Sequence, residues 1–350
     1  MKIEKVEQTR WNGEDWKNAT FGSMFSDHML IAHYKDGAWQ DAEIKPYGAL
    51  QMFPSLHALH YGQAIFEGMK AFRSPKDDIL LFRPEQNFQR FNKSATRMCM
   101  PEVPEEMFLG GLKKLVKLDK QWVPDGETSA LYIRPFMFSS SNFIKATPSD
   151  DYIFMIIMSP VQAYYTGEVN VKVERNYTRA VAGGTGAAKA AGNYAASFFP
   201  AKLAQQQGYQ QLIWTDAKEH RYIEESGTMN IFFRIGDELL TPPLSDTILA
   251  GITRDSVIQL AKHKGLTVRE EVIDLEQLCA AYDSGALKEV FGAGTAATIA
   301  PVTSIDYNGK VMRFENHENS FSDLLKTELQ NIQYKRSEDP FGWTVIVDGE

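Results

Sequence analysis

Apolar positions recur along this chain at two spacings, and the spacing predicts the elements. Over Gln86–Met98, Phe88, Phe91, Ala95 and Met98 return at helical intervals after the start signal Pro84-Glu85, which predicts a helix. A second helix is expected from about Pro104, with Met107, Phe108, Leu112, Leu115 and Val116 turned inward. Leu131–Phe138 and Tyr152–Met158 read as strands. The second half has strands at Gln211–Thr215 and Met229–Phe233, then a turn at Gly236-Asp237. A helix is expected over Thr253–Lys264, closed by Gly265. Leu287–Phe291 reads as a strand running straight into Gly292-Ala293-Gly294. Strands and helices alternate with no fixed-period repeat, so the expected fold class is α/β or α+β. The texture changes between Pro160 and Arg179, where Val169, Val171 and Val173 alternate with polar residues, and the domain junction is expected there.

Composition narrows the function more than the fold. The 350 residues suit about two domains, and a net charge of -8 excludes nucleic acid or an anionic membrane as the main partner. Cys99 and Cys279 are the only cysteines, so neither a disulfide framework nor a thiol metal site is expected. Met1–Arg10 carries charges of both signs and does not read as a secretory signal. The longest apolar runs, such as Tyr152–Met158, are too short to span a bilayer. A soluble protein of a reducing compartment is expected. His57 and His60 have metal-like spacing, but no third ligand cluster supports them, so they read as ordinary histidines and no metal is expected.

Lys189 carries the chemistry. From Ala180 to Ala201 it is the only charged residue, among Gly183, Gly184, Gly186, Ala187, Ala188, Ala190, Ala191 and Gly192. A helix interior does not favour so many glycines, and a solvated lysine normally has polar neighbours. Small uncharged surroundings desolvate an amine, free it as a nucleophile and leave room for a bulky aldehyde cofactor. A flexible glycine loop with an incidental lysine is the competing reading. A phosphate-binding P-loop is excluded, because Ala188 and Ala190 stand where that loop needs Gly and Ser or Thr. Gly292-Ala293-Gly294-Thr295-Ala296-Ala297 fits a relaxed dinucleotide fingerprint. The expected helix is cut by Pro301, however, and Asp306 comes too early. What survives is a turn of exposed N–H groups suited to an anion.

Three other features stay open on the residues alone. Glu225, in Glu225-Ser226-Gly227-Thr228 between two strands, is either a solvated loop carboxylate or the partner of a cationic ring nitrogen. Arg90 lies beside Phe88 and Phe91, either partly buried or on an amphipathic surface. Tyr132 and Arg134 are two apart on a strand and so share a face, which Phe136 continues. They form either a carboxylate-binding wall or an ordinary sheet edge.

Taken in order, the motifs resemble those of branched-chain amino-acid aminotransferases, pyridoxal-phosphate enzymes of fold type IV. The matching stretches are Phe21–Leu30, His60–Arg73 (with Phe66-Glu67-Gly68-Met69-Lys70-Ala71-Phe72), Phe82–Met98, Leu131–Pro135, Gly183–Tyr194, Glu225–Phe232, Leu249–Arg254 and Glu289–Pro301. They cover nearly the whole chain. The resemblance implies a smaller N-terminal α/β domain over 1–162, a linker over 163–178 and a larger C-terminal domain over 179–350, with the cofactor between the domains. It also implies a homodimer and a cytoplasmic enzyme.

The resemblance also implies roles. Lys189 would hold pyridoxal 5'-phosphate as a Schiff base and then move the substrate α-proton. Glu225 would pair with the protonated pyridine nitrogen, and Tyr194 with the phenolic oxygen. Arg90, the backbone at Ile252 and Thr253, and Thr295 would hold the phosphate. Phe21, Tyr61, Phe66, Tyr132, Thr228 and Ala296 would line the substrate pocket. The Thr295-Ala296 turn would donate to the α-carboxylate, and Arg134 would help the site accept a dicarboxylate. The implied reaction is ping-pong exchange of amino groups between L-leucine, L-isoleucine or L-valine and 2-oxoglutarate. The chain departs from some relatives in carrying Ala297 and Ala300 where those have a Cys-x-x-Cys pair, so thiol control through that pair is excluded. The alternatives on the same fold are a D-amino-acid aminotransferase, an aminodeoxychorismate lyase or a catalytically silent cofactor-binding protein. The Phe66–Phe72 match and the Tyr132/Arg134 pair favour the branched-chain enzyme over the first two. The intact set Lys189, Tyr194, Glu225, Arg90 and Thr295 argues against the third.

Overall fold

Strict alternation along Ala130–Ser139 sends Leu131, Ile133 and Met137 to one face, where all three are fully buried, and Tyr132, Arg134 and Phe136 to the other. The computed structural model describes residues 1–162, 168–315 and 320–347, and it places this strand inside a sheet, not at its edge. Among the described residues that sheet has ten strands. Its main path runs Lys2–Ile3, Glu43–Pro46, His28–Lys35, Tyr152–Val161, Ala130–Ser139, Met69–Arg73, Ile79–Phe82, Thr344–Ile346. Ala64–Phe66 pairs with Ala130–Ser139, and Ala38–Trp39 with His28–Lys35.

The helix expected over Gln86–Met98 is present as Pro84–Arg97, with Pro84 in its first turn and Glu85 behind it. The second expected helix spans Glu106–Leu118 in two parts. Phe91, Ala95, Phe108, Leu112, Leu115 and Val116 from these helices pack with Leu131, Ile133, Phe154 and Ile156 of the sheet. Removing one such ring, as in Phe91→Ala, would cost about 3–5 kcal/mol. The opposite face holds a smaller cluster of Met29, Ile31 and Met155 against Phe136 and Phe138. Beyond that cluster the same face turns polar.

The chain groups into two units. The first comprises Met1–Tyr164, Ala188–Gly192 and Asn331–Glu350, the second Tyr165–Ala187 and Asn193–Gln330. This differs from the expected division. Ala188–Gly192, with Lys189, belongs to the first unit because Ala190 bridges Ile65 and Phe66 N donates to Lys189 O at 3.1 Å. The last residues belong there because Thr344–Ile346 pairs with Ile79–Phe82. Of the expected linker, 163–167 lie outside the described residues, and Asn170–Val173 is a strand. The alternation of Val169, Val171 and Val173 is its buried face, so these residues are core and not tether.

That strand runs parallel to both neighbours in a sheet ordered Ile273–Asp274, Tyr222–Ser226, Gln211–Thr215, Asn170–Val173, Ser304–Tyr307, Lys310–Arg313. A second sheet of the same unit runs Thr267–Glu270, Glu238–Thr241, Asn230–Ile235, Leu287–Gly294, Thr298–Pro301. The expected helix is found as Ile252–His263, with Gly265 at φ +78 beyond it. Gly292-Ala293-Gly294 ends a strand that turns back through 295–297, a hairpin that no dinucleotide site would use. The glycine-rich stretch is turn only as far as Ala188; from Ala191 to Gln206 it is helical, through Gly192 and Pro200.

Candidate active site

In the first unit the polar sheet face gathers half of the expected substrate residues. Phe66 ends the strand Ala64–Phe66, and Arg134 lies with its guanidinium carbon 4.5 Å from the centre of that ring. Arg134 Nη2 donates to Tyr132 Oη at 2.9 Å, and Phe21 meets Tyr132 edge-on with centroids 5.0 Å apart. Tyr132 and Arg134 therefore stand side by side on one face, as the two-residue spacing predicts. Lys189 reaches the same place: its Nζ lies 4.9 Å from the Phe66 centroid, and its backbone N donates to Ser94 Oγ at 3.0 Å. Tyr61 instead makes ring contacts with His57 and His60. His57 has Ser139 Oγ at Nδ1 and the Thr147 carbonyl at Nε2, both at 2.9 Å, so its ring is satisfied by the protein. Among the described residues no cluster of His, Cys, Asp and Glu could hold a metal.

The surroundings of Lys189 are not uncharged. Glu67, fully buried, lies within electrostatic reach of it, and sequence reasoning gave Glu67 no role. Its carboxylate accepts from Arg90 Nε at 2.7 Å, Arg90 Nη2 at 2.8 Å, Asn87 Nδ2 at 2.7 Å and Gly68 N at 3.1 Å. Burial pushes this carboxyl up, but Arg90 first, then Lys189 and Asn87, outweigh it and hold it below the ordinary range. Arg90 is thus a buried guanidinium forked onto a carboxylate, and neither of its two open readings foresaw that partner. A glutamate between the largely apolar stretches Ala64–Phe66 and Met69–Phe72 was the available signal.

In the second unit Tyr194, Glu225 and Thr228 line one pocket with Arg179, Asn193 and Leu249. Tyr194 stands in the first turn of Ala191–Gln206, and Glu225 is buried in Tyr222–Ser226. Glu225 Oε1 accepts from Leu249 N at 2.6 Å, and Oε2 forms an ion pair with Arg179 Nε at 3.0 Å. Arg179 also went unforeseen. Gly227 turns the chain at φ +56, and a Cβ there would lie 2.0 Å from Gln211 Oε1, so the tight turn before Thr228 requires glycine. Ile252 and Thr253 open the helix Ile252–His263, where the first N–H groups have no carbonyl to meet within the helix. Thr295 and Ala296 sit in the hairpin turn, and Gly294 just before it packs against Met229.

The family model for amino-transferase class IV matches residues 64–305, which includes Lys189, Glu67, Arg90, Arg134 and Glu225. The chain belongs to the class IV aminotransferases. A Bacillus subtilis (strain 168) relative, branched-chain-amino-acid transaminase 1, is 45% identical over 354 residues, covering 99% of each chain. A branched-chain aminotransferase from the archaeon Thermoproteus uzoniensis, solved with norvaline, superposes with a TM-score of 0.76 at 25% identity, covering 91% of this chain and 99% of that one. The T.th. branched-chain aminotransferase, solved with pyridoxamine 5'-phosphate, gives 0.76 at 26% identity, covering 91% and 98%. As a class IV aminotransferase the chain is an amino-group transferase, and its family implies pyridoxal phosphate. The residues present suit that group. A lysine amine suits an aldehyde, a buried carboxylate a protonated ring nitrogen, and a helix start a phosphate.

Proposed function

We propose that this enzyme moves the amino group of L-leucine, L-isoleucine or L-valine to 2-oxoglutarate by a ping-pong route. One observation carries the reading. The ring of Phe66 has the Lys189 amine on it at 4.9 Å and the Arg134 guanidinium at 4.5 Å. A nucleophilic amine, an aromatic wall and a cation for a second carboxylate therefore meet at one side chain. A single pocket that takes both an aliphatic side chain and a glutamate carboxylate needs these parts.

Pyridoxal phosphate, when bound, supplies the carbonyl that takes the amino group and an electron sink for the carbanion. Lys189 is the residue that would hold that carbonyl, and its amine would carry the substrate α-proton. Glu225 would favour the protonated form of the ring nitrogen, and Tyr194 would hydrogen-bond the phenolic oxygen. Arg90, the N–H groups of Ile252 and Thr253, and Thr295 would hold the phosphate. The Thr295-Ala296 turn would receive the α-carboxylate, and Phe21, Phe66, Tyr132 and Thr228 would enclose the side chain. Large apolar side chains exposed on the first unit, among them Phe53, Leu59 and Ile144, support the homodimer, since a partner chain is the usual cover for such residues. A cytoplasmic enzyme is consistent with the absence, among the described residues, of any helix long and apolar enough to cross a membrane.

The test is the visible spectrum of the purified protein before and after L-leucine is added without an acceptor. Bleaching of the cofactor band by leucine, and its return with 2-oxoglutarate, is expected. A band that leucine leaves unchanged but D-alanine bleaches would transfer the assignment to a D-amino-acid aminotransferase.

A further inference from the structure

The strand that carries Glu225 does not alternate cleanly. Where it pairs with Gln211–Thr215, Glu225 stands opposite Trp214 and Ile223 opposite Thr215, so Glu224 is one residue too many. A bulge of this kind re-aims side chains that would otherwise point to opposite faces. Glu224 and Glu225 accordingly serve the same cation. Arg179 Nε forms an ion pair with Glu225 Oε2 at 3.0 Å, and the same guanidinium lies within electrostatic reach of the Glu224 carboxyl. Thr247 ties the two together. Its carbonyl accepts from Arg179 Nη2, and its hydroxyl donates to Glu224 Oε1 at 2.6 Å. Of the three charged residues only Arg179 and Glu225 line the pocket with Tyr194.

Charge decides what this arrangement can do. One guanidinium neutralises one carboxylate, so Arg179 and Glu225 alone make a neutral pair with little attraction for a further cation. Glu224, when ionised, gives the trio a net negative charge that a protonated ring nitrogen would balance. Glu224 Oε2 is buried without a hydrogen-bond partner among the described residues, so no donor there neutralises it. Burial pushes this carboxyl above its ordinary 4.5, and Asp216 and Asp246 push the same way; the Thr247 hydrogen bond and Arg179 offset part of the rise. A buried carboxylate in that position is stabilised by any positive charge brought near it. The ring nitrogen and Glu224 would thus favour each other's charged forms, although Glu225 stands between the pocket and its neighbour's influence.

We propose that Glu224 is a positioning residue for the ring-nitrogen end of the site: it shares Arg179 with Glu225 and so leaves Glu225 the negative charge that keeps the ring nitrogen protonated. Glu224 acts through Arg179 and Thr247. This rests on the transaminase reading, in which Glu225 faces that nitrogen. It adds to that reading the residue that sets how firmly the nitrogen keeps its proton.

The test uses the holoenzyme loaded with pyridoxal phosphate whose ring nitrogen is the heavy, NMR-active isotope, since its resonance separates the protonated from the neutral form. Glu224→Gln keeps an acceptor for the Thr247 hydroxyl and removes the charge. It should lower the pH at which the nitrogen loses its proton by about one unit or more. Glu224→Asp, which keeps the charge, should stay within about half a unit of wild type. Glu224→Met, which buries no amide, carries the same expectation as Glu224→Gln and replaces it if that variant does not fold. A nitrogen that stays protonated over the same pH range in the uncharged variants as in wild type would overturn the proposal and leave the transaminase reading standing. An equal shift in Glu224→Asp would overturn it too, because packing and not charge would then be the cause. Glu225→Gln tests the underlying reading: if it leaves the nitrogen as in wild type, or if wild type takes up no pyridoxal phosphate, both fall.

Discussion

The amine of Lys189 and the guanidinium of Arg134 share the ring of Phe66, at 4.9 and 4.5 Å from its centroid. An amine and a guanidinium on one ring make Phe66 a spacer between the reacting end of the site and its far end. Phe66→Leu keeps an apolar side chain but removes both contacts, each worth about 0.5–2 kcal/mol. The expected outcome is a fall of roughly ten- to a hundredfold in kcat/KM with both leucine and 2-oxoglutarate, which matches about 1.4–2.7 kcal/mol in total. Stopped-flow measurement of each half-reaction checks it. A loss confined to one substrate would mean that the ring serves only one of its two neighbours.

Glu67 is the counter-charge of a buried guanidinium, so neutralising it strands Arg90. Glu67→Gln is expected to destabilise the fold by roughly 3–5 kcal/mol, read from urea unfolding. The double variant Glu67→Gln/Arg90→Met should recover a good part of that loss, since it removes the stranded charge as well. The carboxyl of Glu67 is held below its ordinary 4.5, so its contribution is complete above that value and is lost as pH falls through the lower, folded one. Wild type and Glu67→Gln should therefore converge in stability on acidification.

Lys70 gives the opposite pH signature. Burial pushes its amine from the ordinary 10.5 down to about 8, so the enzyme carries it as a cation near neutrality. Between those values the unfolded chain holds a proton that the folded chain has released, and stability rises with pH. The stability of wild type minus that of Lys70→Met should grow by roughly 3 kcal/mol from pH 7.5 to 10.5 without ligand. Thermal or urea unfolding of the two proteins across that window measures it. A flat difference would show that Lys70 does not lose its proton there.

Gly68→Ala tests the room made for Tyr132. The added Cβ would stand 2.2 Å from Tyr132 Oη, so the hydroxyl must move and its bond from Arg134 must break. The KM for 2-oxoglutarate is expected to rise by roughly tenfold, the equivalent of one charge-assisted hydrogen bond, with far-ultraviolet circular dichroism unchanged. Unaltered kinetics in a folded variant would show that Tyr132 Oη needs no fixed place.

Elements with a strong period were legible from the sequence. Pro84–Arg97, Gln211–Thr215 and Ile252–His263 carry their own start, stop or alternation signals. Asn170–Val173 read as linker because four residues offer little pattern, and one of its partners, Ser304–Tyr307, lies far along the chain. Ala191–Gln206 was hidden because its apolar residues do not form one stripe; Phe198 and Phe199 are exposed. In the candidate site the Tyr132/Arg134 spacing was readable, and Lys189 stood out by composition. Glu67, Arg179 and Glu224 were not readable, since each takes its meaning from a residue on another element: Arg90, Glu225 and Thr247. A pattern within one element reports its own faces, whereas charge pairing and orphaned oxygens appear only once elements are set side by side.

The pairing of Ile79–Phe82 with Thr344–Ile346 has a consequence for how the chain is made. A ribosome releases the first strand early and the second only after nearly everything else. Until then the sheet ends on Ile79–Phe82, four buried apolar residues with an open row of backbone donors and acceptors. Asn170–Val173 waits in the same way for Ser304–Tyr307. A nascent chain halted between Val173 and Ser304 thus presents two sticky strand edges at once. A premature stop at Thr344 would leave Ile79–Phe82 an open, aggregation-prone edge even though every residue named for the chemistry had been translated.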